Sequence, residues 1–182
     1  MASLPKPTIK GIFVNSHVER IKKDKGDAGI QELQHRFGKP LNFNNTDNVP
    51  ISEEVRLIEC TLDILGISSS DSHQRAFEAG RLHFTNFSTT PLAKIIFSMF
   101  RTNFKLLMLN TKNIAGHVFE GVKFESHDLG EKSVKVRMEN NDYPIEHFSG
   151  LFSEWMKFAG LEGTVEAKEP EPNAYEYTMT WK

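Results

Sequence analysis

Apolar and polar residues alternate in four short runs over residues 120 to 182, and a stretch of helical spacing separates the second run from the third. Val122, Phe124 and Ser126 share one side of the first run, and Val134, Val136 and Met138 share one side of the second. Val165 and Ala167 repeat the scheme, followed by Tyr175, Tyr177, Met179 and Trp181. Successive side chains of a strand point to opposite faces, so Lys123, Glu125, Lys135, Arg137, Glu166, Lys168 and Glu176 fall on the other side. The pattern predicts strand, strand, helix, strand, strand, forming a four-stranded antiparallel sheet with one wet face.

The first half of the chain has the longer period of helices. Thr8 to Asn15 reads as a short apolar strand, after which Ser16 is placed to cap a helix through Lys25. Residues 27 to 37 form a second helical pattern around Ile30, Leu33 and Phe37, stopped by Gly38 and Pro40, and the polar segment Asn42 to Pro50 reads as a loop. Ser52, Glu53 and Glu54 mark another helix start, where carboxylates meet the positive end of the dipole. Val55, Ile58, Leu62 and Leu65 give that helix its apolar face, and Gly66 stops it.

Asp71 opens the next helix, in which Ala76 and Gly80 form a small surface for close helix approach, with Phe84 and Phe87 beyond them. Pro91 suits the first turn of a long helix from Leu92 to about Asn110, apolar almost all round and expected as the central core element. A last helix runs from about Ile145 to Ala159, with Ile145, Phe148, Phe152, Trp155 and Ala159 on one stripe. The fold class expected is α+β, with N-terminal helices packed on the sheet. Residues 1–8 form a flexible lead and 9–182 a single domain.

Composition narrows the function more by exclusion than by assignment. A chain of 182 residues can bury a core without crosslinks. A net charge of -2 lacks the basic surface that general nucleic-acid binding requires. The lone Cys60 cannot form an internal disulfide, and its apolar helical setting suits a buried, inert thiol in a cytoplasmic protein. No apolar run is long enough to span a membrane, no secretory signal opens the chain, and Ala2 stands where myristoylation needs glycine.

Catalytic motifs are equally absent from the sequence: there is no HExxH, GxSxG elbow, Walker loop or dinucleotide fingerprint. Serines 68, 69, 70 and 72 suit a turn before a helix, and the adjacent Glu53 and Glu54 are accounted for by the helix dipole. The seven histidines show no chelating spacing: His73 and His83 share a helix ten residues apart, His17 and His35 sit on other helices, His117 and His127 flank a strand, and His147 opens the last helix. No metal and no cofactor is therefore expected, and no enzymatic activity. His83 and His117, each beside aromatic residues, remain as polar anchors for a pocket.

Lys94, Arg101, Lys105 and Lys112 recur at steps of seven, four and seven along the long helix, a basic stripe beside Phe97, Phe100 and Phe104. Such a stripe suits an acidic partner or anionic lipid, and equally the wet edge of a core helix.

The segments GIFVNSHVERI, FEAGRLHFTNF, PLAKIIFSMFRTNFK, VKVRMEN, PIEHFSGLFSEWMKFAGL and YEYTMTWK resemble an uncharacterised bacterial family of single-domain proteins, abundant in myxobacteria and known as a domain of unknown function. More distantly, the element order resembles the ligand-binding superfamily that joins haem-nitric-oxide sensors, vinyl-reductase-type domains and vesicle-tethering transport-particle subunits. That resemblance implies an apolar pocket between helices and sheet. The sensors' Tyr-x-Ser-x-Arg motif is missing here, and a single cysteine cannot supply the vinyl-reductase-type triplet.

Two functional expectations follow. The first is a non-catalytic regulatory or scaffold domain that binds a protein partner or itself as a homodimer, through Lys94, Arg101, Lys105, Phe152 and Phe158. The alternative is a sensor of an apolar small molecule or lipid, held in a pocket lined by Phe84, Phe97, Phe100, Phe124, Trp155, His83 and His117.

Overall fold

Tyr143 and Tyr177 lead the largest fully buried side chains, and both sit where helices meet a sheet. The computed structural model describes residues 5–100 and 103–182. The sheet is the one predicted: β4 (Lys123–Asp128), β5 (Ser133–Glu139), β6 (Gly163–Glu171) and β7 (Ala174–Trp181), in the order β4-β5-β7-β6 with every pair antiparallel. Its register puts Phe124 opposite Met138, Val136 opposite Tyr177 and Val134 opposite Met179, so the inner face is continuous across strands. The α7 helix (Ile145–Phe158) lies between the strand pairs in sequence and is tied to the sheet by Tyr177, whose hydroxyl donates to the Ile145 carbonyl at 3.1 Å. Edge strand β6 departs from the expected face, since Ala167 is exposed and Val165 only half-buried.

A second, small sheet with the order β2-β1-β3 joins β1 (Thr8–Lys10), β2 (Asn48–Pro50) and β3 (Phe119–Glu120). It corrects two expectations. The apolar run after Thr8 leaves the strand after three residues and enters α1 (Gly11–Phe37), because Phe13, Val14, His17 and Ile21 repeat at helical rather than alternate spacing. Ser16 is inside that helix, its hydroxyl donating to the Phe13 carbonyl at 2.6 Å, and is no cap. The turn into α1 is tight, and a Cβ on Gly11 would lie 2.0 Å from the Asn44 carbonyl oxygen. The expected boundary near residue 26 is a break within α1, where Gly26 adopts φ 66°. The second correction is that the loop from Asn42 to Pro50 ends in β2.

The α2 helix (Ile51–Leu65) stops at Gly66 in the left-handed region, and α3 (Ser72–Phe87) is capped by Asp71, whose carboxylate accepts from the His73 amide at 3.0 Å. The long helix expected over 92–110 is divided into α4 (Pro91–Phe100), α5 (Phe104–Leu109) and α6 (Thr111–Ala115). Asparagine side chains explain the break. Asn103 caps α5 by accepting from the Leu106 amide, and Asn110 turns its own side chain back to the Leu106 carbonyl. Nor is this region the core axis: Ile95 and Met99 on α4 are 59% and 70% exposed. The longest helix is α1, and the tightest helix pair is α3 with α7.

That pair meets through glycines. A Cβ on Gly80 would lie 1.7 Å from the His147 carbonyl oxygen, and one on Gly150 would lie 2.0 Å from that of Phe77. The small surface read around Gly80 thus allows backbone contact. Ion pairs of Arg81 with Glu154 at 2.9 Å and His73 with Glu146 at 2.6 Å hold the crossing at its edges.

Candidate functional site

The close approach of α3 and α7 carries His83 against His147, with His83 Nδ1 3.0 Å from His147 Nε2. Both rings are buried, and so is His17, which reaches the same place from α1. Glu54, in the first turn of α2, completes the cluster with no exposed surface. Its Oε1 lies 3.3 Å from His17 Nε2 and 3.7 Å from His83 Nε2, and its Oε2 accepts from the hydroxyl of Tyr143. Tyr143 stacks on His147 with ring centroids 4.4 Å apart, and the Asn86 amide is 2.9 Å from His17 Nδ1.

Elementary electrostatics fixes the charge states. Burial alone would raise the Glu54 carboxyl, but the facing His83 and His17 rings and the Tyr143 hydroxyl outweigh it and hold the group below its ordinary value. Burial pushes His83 down to about 4 and His147 well below the usual imidazole range, so both are neutral at physiological pH. The Tyr143 phenol is raised by burial and by the adjacent carboxylate, and stays protonated. The cluster is a carboxylate bonded to His17 and Tyr143 inside a low-dielectric core, the setting in which hydrogen bonds are strongest and unpaired groups most costly.

Beside it lies an apolar cavity of about 70 Å³ between α1, α3, α5, α6, α7 and the sheet. Phe87, Leu107, Phe124, Phe148 and Trp155 form much of its wall, and His83 brings the polar cluster to its edge. The wall is set by strand alternation on β4, which turns Phe124 inward, and by the helical stripe of α7. Ser126 on β4 donates to the Met108 carbonyl at 2.8 Å and fixes α5 over the same end.

Of the pocket residues expected from sequence, His83, Phe124 and Trp155 line this cavity. Phe84 stands behind Trp155 at 5.4 Å between centroids, and Phe97 packs on Phe158 at 4.7 Å beside a separate surface depression. His117 is exposed and is not part of the wall, because it follows the end of α6 where the chain turns outward. Phe100 and Arg101 lie outside the side chains described.

The expected interaction face is also rearranged. Phe152 is buried and lines the cavity, whereas Phe158 is 58% exposed. Lys94 is exposed on α4, but Lys105 lies on a different helix and pairs with Asp128 at 2.7 Å, so the basic stripe does not form one helix face.

Sequence reasoning missed His17, Glu54, Asn86, Tyr143 and His147. Their signal is positional: His17 interrupts the stripe of Phe13, Val14 and Ile21, and Glu54 falls between Ile51 and Ile58 on the buried side of α2. A polar residue in an apolar stripe marks a buried partner, even where no local motif exists.

The fold is similar to that of solved H-NOX domains. A doubly substituted Tt H-NOX aligns with a TM-score of 0.68 at 14% identity, covering 95% of this chain and 95% of that one. An oxygen-binding H-NOX domain related to soluble guanylate cyclases aligns at 0.59 with 16% identity over 95% of both chains. The Fe(II) unliganded form of a K. algicida H-NOX variant aligns at 0.58 with 11% identity, over 95% of this chain and 96% of that chain. By sequence, the chain belongs to the DUF2378 family, described as a protein of unknown function, which it matches over residues 2–182. No curated protein shows significant similarity to it. Among the described residues, no helix is long and apolar enough to cross a membrane.

Proposed function

We propose that the protein is a non-catalytic sensor domain that takes up a small apolar molecule in the cavity between α3, α7 and β4. The observation that carries this reading is the cavity wall: aromatic and aliphatic side chains apart from Thr111 and His83, the latter bringing a polar edge. Apolar walls with few polar anchors are the usual form of a ligand site. The likeness to H-NOX domains supports a sensing role for a pocket at this place in the fold.

Haem is the group that this kinship implies, and the residues do not fit it. Pockets for drug-sized ligands run to roughly 300–1,000 Å³, and a cavity of about 70 Å³ leaves no room for a macrocycle without displacing the core aromatics. His83 is also engaged, with Nδ1 on His147 and Nε2 facing Glu54. The occupant that suits the space is a dissolved gas or a short hydrocarbon.

Native mass spectrometry and visible absorption of the purified protein, followed by melting under short-chain alkanes, test the reading. Stabilisation by the alkane that disappears in Ala115→Phe, a substitution that fills the cavity, is the expected result. A Soret band, or stabilisation identical in Ala115→Phe, would overturn it. The second reading, self-association, is favoured by the exposed rings and chains of Ile95, Met99 and Phe158. It predicts a concentration-dependent dimer in sedimentation that Phe158→Ser weakens; a monomer at all concentrations would sink it.

A further inference from the structure

We infer that His17, Glu54 and His83 form a binding site for a divalent transition-metal ion of the zinc class, buried at the junction of α1, α2 and α3. The ligand-forming atoms of these residues all lie within 4.8 Å of one another, and all three residues are buried. A metal with bonds of roughly 2.0–2.1 Å to nitrogen and oxygen spaces tetrahedral ligands about 3.3 Å apart. His17 Nε2 and His83 Nε2 stand 3.3 and 3.7 Å from the same oxygen, Glu54 Oε1, close to the spacing that chelation requires. The inference does not depend on the cavity holding a ligand.

The groups behind the ligands are arranged as metal sites require. A metal-bound imidazole ordinarily donates its other ring N–H to a neighbour, which fixes its tautomer and orientation. His83 Nδ1 can donate to His147 Nε2 at 3.0 Å, leaving the His83 Nε2 lone pair turned toward Glu54. His17 Nδ1 faces the Asn86 amide at 2.9 Å, and the Asn86 carbonyl oxygen is buried without a partner as placed. Turning that amide over makes the oxygen the acceptor for His17 Nδ1–H and frees the His17 Nε2 lone pair. Tyr143 donates to Glu54 Oε2 and orients the carboxylate.

Charge favours the same occupant. A divalent cation here would lie against the buried Glu54 carboxylate, and an opposite charge in contact stabilises a buried anion. Two nitrogens and one oxygen suit zinc, iron(II) or cobalt(II) and disfavour calcium and magnesium, which take oxygen ligands. Because each ligand comes from a different helix, the ion would lock α1, α2 and α3 together.

The test uses the full chain, stripped with a chelator and then titrated with zinc sulfate by calorimetry and with cobalt(II) by visible absorption. One equivalent is expected to bind, with the intense cobalt bands of a low-coordinate nitrogen and oxygen site. Glu54→Gln and His83→Gln should each weaken binding by about 100-fold or more, while His117→Gln, at an exposed histidine, leaves it unchanged. X-ray absorption of the zinc-loaded wild-type protein decides the matter even if a variant does not fold, and two imidazole ligands are expected. Absence of saturable binding, affinity unchanged in Glu54→Gln and His83→Gln, or fewer than two imidazoles at the zinc would each overturn the assignment.

Discussion

On the outer face of the sheet Arg137 meets Glu139 at 3.0 Å, Glu176 at 3.4 Å and Glu171, with Lys135 and Lys168 also on Glu176. Glu54, by contrast, meets His17, His83 and Tyr143 with no exposed surface. Both are networks of opposite or complementary charge, but they do different work. Water screens the sheet ladder and competes with every bond in it, so its net contribution is small. In the core nothing replaces a lost partner, so each group there depends on the others.

Glu54→Ala should break this contrast most severely, destabilising by about 3–4 kcal/mol, because it leaves the buried His17 ring and Tyr143 phenol without their common partner. Chemical denaturation with unchanged m-value measures it. Tyr143→Phe should cost about 2 kcal/mol, the loss of one hydrogen bond to a charged group that stays buried; an effect near zero would mean the hydroxyl is dispensable. Acidification sharpens the comparison further. His83 is held at about 4 against an ordinary value of 6.5, and His147 is lowered as well, so the unfolded chain binds protons that the folded one refuses. Stability should therefore fall as pH drops from about 6.5 toward 4, by up to about 1.4 kcal/mol per pH unit for each ring. Melting curves of wild type and His147→Gln test this, the variant showing the shallower slope. Arg137→Ala should give the smallest effect of the set, and high salt should erase it.

The same contrast explains what the sequence disclosed. The strands were legible because alternation in residues 123–128, 133–139 and 174–181 is a local consequence of one wet face and one dry one. Gly66 and Asp71 marked helix ends for equally local reasons. The division of residues 91–115 into α4, α5 and α6 was hidden, since it depends on how Asn103 and Asn110 choose between side-chain and backbone partners. The polar cluster was hidden more deeply. Its members stand at 17, 54, 83, 143 and 147, on elements that only the tertiary fold brings together, and Glu54 beside Glu53 looked like an ordinary dipole-favoured helix start. Of the expected pocket, Phe124 and Trp155 were recoverable from periodicity, whereas His117 was misplaced because its neighbours Val118 and Phe119 turn inward while it turns out.

The most direct test of the account is a crystal of the protein pressurised with xenon, an apolar atom small enough for the cavity and located by its anomalous scattering. The account predicts one strong site among Phe124, Phe148 and Trp155, beside His83, that vanishes in Ala115→Phe. Xenon bound only elsewhere, or that volume filled by side chains, would contradict it.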